Sequence, residues 1–141
     1  MGKIMKQSSL IILAGIMALA LGCAGDGNGN SSSLAPASIS GAVVTSTVIS
    51  GTGDFVGASG TSVTTFTGTT FDSVDSSGTV SGTYVYTRTS RTSGILVSIA
   101  AAGATGTITS TLTFAGEKDG TYSLIGSAGI SGTETGTFIT N

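Results

Sequence analysis

The 141-residue chain has no histidine, no tryptophan, one cysteine and one proline. Without histidine it has no Ser-His or Cys-His nucleophile pair, and it lacks the commonest zinc ligand. The single cysteine, Cys23, permits no internal disulfide. Charge is scarce as well, at 9% of residues. Beyond residue 22, three basic side chains (Arg88, Arg91 and Lys118) stand against seven acidic ones. That balance argues against nucleic acid, which needs clustered Lys and Arg, and against a polybasic membrane patch. Leu, Glu, Lys and Gln on helical spacing are rare after residue 23, so no helix is expected there. No glycine-rich segment carries a phosphate-loop lysine between a strand and a helix, and no cofactor is implied.

What is present is segregated along the chain. Lys3 and Lys6 precede an uncharged apolar run over residues 10–21, and small residues lead to Cys23. This is the three-part layout of a secretory signal, and the run is shorter than the ~20 apolar residues of a comfortable membrane span. The segment Leu19-Ala20-Leu21-Gly22-Cys23 resembles the lipobox of bacterial lipoproteins, with Ala20 where a leucine is commoner. The resemblance implies a helical signal over residues 1–22, cleavage before Cys23, and acylation of its thiol and new amino terminus. It implies a cell-envelope address and a membrane partner through the lipid. Ala24, where Asp would favour inner-membrane retention, points to the outer membrane if the source is Gram-negative. Two or more acyl chains hold stably where one holds marginally, each buried methylene contributing about 0.8 kcal/mol.

Residues 23–37, rich in Gly, Ser and Asn, read as a flexible linker. Residues 38–141 read as one all-β domain. Short alternating runs broken by Gly, Ser and Asp predict strands over 39–50, 62–67, 70–74, 79–89, 94–101, 107–114, 121–126 and 133–140. In the sixth, Ile108, Ser110, Leu112 and Phe114 share one face and four threonines the other, so one face is core and one is wet. Short connections predict an antiparallel meander of about eight strands. A barrel, which removes edges, is favoured over a two-sheet sandwich. The loop Glu117-Lys118-Asp119-Gly120 predicts positive φ at Gly120, and Ser76-Ser77-Gly78 the same at Gly78. Gly82, Gly126 and Gly136 are expected where strands bend. The spacing of Tyr84, Tyr86, Leu96, Leu112, Phe114, Tyr122 and Phe138 is similar to small secreted lipocalin-like barrels, a resemblance of fold more than of function.

Candidate chemistry is thin. Asp54, Asp72, Asp75, Glu117, Asp119 and Glu134 would have to supply any carboxylate pair flanking a cleft, and they read better as solvated turn residues. The acidic run from Asp72 to Gly78 lacks the spacing of a calcium loop and reads as a turn. The Thr face of residues 107–113 is one strand wide, too little for an ice-binding array. Tyr84, Tyr86, Arg88 and Arg91 form the one candidate binding group, an Arg pair beside aromatics at a barrel mouth. The expectation is a lipid-anchored, non-enzymatic envelope barrel that binds a small apolar or amphipathic ligand or an envelope protein. The alternatives are a structural or adhesive surface protein without a pocket and, more weakly, a carboxylate-based hydrolase. Low-charge, proline-free strands also leave self-association open.

Overall fold

The computed structural model describes residues 33–101 and 106–141. The signal over 1–22, Cys23 and the linker as far as residue 32 lie outside the described residues. The rest is an all-β domain of eight antiparallel strands: β1 (Val43–Gly51), β2 (Gly60–Thr67), β3 (Thr70–Asp75), β4 (Gly78–Arg88), β5 (Ser93–Ala100), β6 (Thr107–Phe114), β7 (Asp119–Ser127) and β8 (Thr133–Thr140). Each strand pairs with its sequence neighbours, and β1 pairs with β8 to close the barrel. Closure leaves no edge strand to template association.

The side-chain period of two sorts the barrel into two faces. All five phenylalanines and all three tyrosines lie inside, seven of them buried and Tyr86 half-buried. Threonines dominate the outside. Val63, Val74, Val85, Ile99, Ile125 and Ile139 stand among them, and the aromatics are inside rather than in the girdles that flank the outer wall of a lipid-spanning barrel. Inside, Phe66 meets Tyr84 edge-on at 4.8 Å, and Phe114 meets Phe138 edge-on at 5.0 Å. Such pairs add about 0.5–1.5 kcal/mol beyond burial.

Several rings lie over glycines on a neighbouring strand. A Cβ on Gly136 would sit 2.5 Å from the Tyr122 ring, one on Gly94 2.4 Å from Tyr86, and one on Gly120 2.8 Å from Phe138. Gly136 is therefore ring space rather than a bend. The break in register falls instead in β1, between Val48 and Ser50. Gly120 likewise departs from expectation: it is an inward strand residue beneath Phe138 without positive φ, and the turn before it is closed by Ala115 N–H donating to Asp119 O at 3.0 Å. Gly78 does take positive φ, at 143°. Beside it the Asp75 carboxylate accepts from Ser77 N–H at 2.6 Å and Gly78 N–H at 3.1 Å, so the acidic run from Asp72 ends in a carboxylate-capped turn.

Both ends of the barrel are stopped. Between β1 and β2 a 3-10 turn, Gly53–Phe55, carries Phe55 inward to complete burial. It is fastened to the β7–β8 loop by Asp54 N–H donating to Ser131 O at 2.8 Å and by Ser131 N–H donating to the Asp54 carboxylate at 2.6 Å. At the other end the chain before β1 crosses the opening. Ala35 N–H donates to Arg91 O at 2.9 Å, and Gly41 N–H donates to Phe66 O at 2.8 Å. Ala35 and Ile39 are buried along this path. Two expectations are corrected here. The first strand begins at Val43, not 39, because residues 33–42 are used as a stopper. The linker expected through residue 37 is packed from Ser33 onward, where the Ser33 hydroxyl donates to Arg91 O at 3.1 Å.

Candidate functional site

Little space remains between the two stoppers. One interior space of about 60 Å3 lies beneath Ile39, walled by Phe66, Leu96, Leu112 and Phe114, with the hydroxyls of Ser62 and Ser110 on its sides. A water needs about 10–15 Å3 on this measure, and an apolar cavity of about 150 Å3 is needed to take benzene. Drug-sized ligands occupy pockets of about 300–1,000 Å3. The small inward residues Gly82, Ser98, Ala100 and Ser110 are all buried, as an interior face requires. The room freed at Gly94, Gly120 and Gly136 is taken by the rings of Tyr86, Phe138 and Tyr122.

The most unusual chemistry in the barrel is a buried carboxyl. Glu134 is 1% exposed, and its Oε1 accepts a hydrogen bond from the Tyr122 hydroxyl at 2.7 Å. Its Oε2 has no hydrogen-bond partner among the described residues. Burial pushes the Glu134 carboxyl above the usual carboxylate range, partly opposed by the Tyr122 hydrogen bond. Burial, and then the hydrogen bond to Glu134, push the Tyr122 phenol up as well. Each group favours its neutral form, as a charge sealed from water must unless it is paired. Glu134 thus corrects the reading of the carboxylates as solvated turn residues. The signal was present in the strand: Glu134 shares parity with Gly136 and Phe138, both inward. Asp54, Asp72, Glu117 and Asp119 are exposed, and they do not converge with Glu134 on a cleft. No group of three or more metal-ligating side chains occurs among the described residues.

The candidate binding group divides in two. Tyr84 and Tyr86 point into the barrel, where Tyr84 is buried against Phe66 and the Tyr86 hydroxyl is buried without a partner. Burial pushes the Tyr86 phenol up, and the nearby Arg88 charge partly offsets that. Arg88 and Arg91 are exposed at the end of β4 and in the loop after it. With Ser33, Thr89 and Ser90 they line an open surface depression of about 390 Å3 that neither tyrosine reaches. The structure therefore brings the two arginines together and leaves the tyrosines as core. Comparison with family models, with curated proteins and with solved structures finds no match to this chain.

Proposed function

We propose that the chain is a lipid-anchored cell-envelope protein whose barrel is a filled, non-enzymatic body acting through its outer surface, in a structural or adhesive role. The observation that carries this reading is the lumen: eight aromatic side chains point into it, both ends are stopped, and the interior space beneath Ile39 is about 60 Å3. Support for the anchor comes from the lipobox-like segment ending at Cys23. The outer wall supports a role in contact with water, because it carries hydroxyls in register over several strands. Thr113, Thr121, Thr137, Thr47 and Thr61 form one such row around the barrel.

A second reading, a carrier for a small apolar or amphipathic ligand, is favoured by one feature. The interior space combines apolar walls with hydroxyls and lies directly beneath Ile39, in a stopper held at its ends by few hydrogen bonds. Carriage would require that stopper to withdraw.

The anchor is tested by expressing the full chain in a Gram-negative host and weighing the N-terminal peptide of the membrane fraction. The expected product begins at Cys23 with diacylglycerol and an N-acyl group, and Cys23→Ser abolishes membrane recovery. A soluble product with a free thiol contradicts the proposal.

A further inference from the structure

Composition alone scatters the few charges of this chain, but the fold does not. The β2–β3, β4–β5 and β6–β7 loops share one end of the barrel with the N-terminal stopper. All three basic residues beyond residue 22 are there: Arg88 and Arg91 at the β4–β5 connection, Lys118 in the β6–β7 loop. The two connections adjoin, since Phe114 N–H donates to Thr92 O at 2.7 Å just before the β6–β7 loop. The opposite end carries Asp54 and Asp75 and no basic residue. Glu117 and Asp119 flank Lys118, so the basic end bears a modest positive excess rather than a dense patch. The Asp119 carboxylate is folded back toward Gly116 of its own loop.

The tether leaves from this same end. Ser33 lines the depression between Arg88 and Arg91, and Cys23 lies ten residues upstream. Ten residues span at most about 33–36 Å when fully extended. A lipid on Cys23 therefore keeps the domain close to the bilayer by its basic end, with slack enough for either end to lie down.

We propose that the barrel end bearing Arg88, Arg91 and Lys118 is a docking face for an anionic lipid surface, which sets the domain upright on its anchor with Asp54 and Asp75 pointing away. This rests on the lipid-anchor reading above. Three basic groups are too few to recruit a soluble protein to a membrane, but a tethered one is already there, and the charges have only to choose which end lies down. The potential of an anionic leaflet decays within a Debye length, about 10 Å at 0.1 M salt, so the preference acts at contact and weakens with salt. The exposed Arg88 guanidinium at the rim of this depression suits a phosphate headgroup, which arginine grips through paired N–H donors.

Cys23 is the only thiol, and acylation consumes it, so a single new cysteine can be labelled cleanly. Full-length lipidated protein carrying either Ser90→Cys at the basic end or Ser76→Cys at the acidic end is labelled with a fluorophore. It is then reconstituted into vesicles of phosphatidylcholine, with or without phosphatidylglycerol, that contain a headgroup quencher. The expected result is several-fold stronger quenching at residue 90 than at residue 76 in phosphatidylglycerol vesicles. That difference shrinks in high salt and in the Arg88→Glu/Arg91→Glu background. Equal quenching at the two positions in a protein that floats with the vesicles overturns the docking face and leaves the anchor standing. A protein that fails to float with phosphatidylcholine vesicles overturns the anchor, and the docking face with it.

Discussion

The inner and outer faces of the barrel are made by the same strands under different rules. In β6, Thr107, Thr109, Thr111 and Thr113 face out while Ile108, Ser110, Leu112 and Phe114 face in. The outer positions of β6 share one chemistry, whereas other strands set Val63, Val74, Val85, Ile99, Ile125 and Ile139 among the outer hydroxyls. The inner positions share almost no chemistry and are fitted by size, six of the eight rings set over a glycine or against another ring. Substitution outside should therefore be nearly neutral, whereas substitution inside is read by volume and by polar partners.

Four variants and one titration sharpen that contrast. The largest effect is expected at Phe138, which packs edge-on to Phe114 and over Gly120; Phe138→Ala should cost about 3–5 kcal/mol in chemical denaturation. Tyr122→Phe keeps the ring but removes the one hydrogen bond that the Glu134 carboxyl accepts among the described residues, and should cost about 1–3 kcal/mol. Gly136→Ala adds one methyl where the Tyr122 ring and Thr47 O already stand within 2.5 and 2.2 Å, and should cost about 1–3 kcal/mol through overpacking. A loss below 0.5 kcal/mol there would mean that the ring is free to move. The smallest effect is expected at Thr111→Ala on the outer face, within about 0.5 kcal/mol. A large loss at Thr111 would break the comparison, because it would make the outer rows structural rather than available.

The titration concerns Glu134. Its folded pKa is raised, so the protonated form is the one that folding favours. The resulting stability is fully present below the unfolded pKa of about 4.3. It declines as pH rises from there toward the raised folded value, where the buried carboxyl is forced to ionise or the barrel to open. Melting temperature should therefore fall across that interval in the wild type, and the slope should flatten in Glu134→Gln. A wild-type profile that rises there would contradict a neutral buried Glu134.

The fold was largely legible because its signals are local. Alternation, turn residues and short connections define eight strands, two of them (β6 and β8) at the expected bounds. What escaped depends on contacts between residues distant in sequence. Nothing near Phe55 announces that a 3-10 turn will press it into one end of the barrel. Nothing near Ile39 distinguishes a first strand residue from a stopper that pairs with Phe66. Gly136 looks like a bend and Gly120 like a turn residue when read along the chain, and both become ring seats only once the neighbouring strand is in register. The tyrosines and arginines of β4 look like one group because they are adjacent in sequence. Arg88 shares the parity of Tyr84 and Tyr86, and only the end of the strand separates it from them, leaving Arg88 at the rim and Arg91 in the loop beyond. Glu134 was the one error that parity alone would have corrected.

The central claim is that the barrel interior is filled by the protein's own side chains. Native mass spectrometry of the detergent-released protein tests it most directly. The expected mass is that of the acylated chain with nothing further bound. A reproducible additional mass that is lost on denaturation would contradict it, showing that the stopper opens and that the lumen is a carrier site.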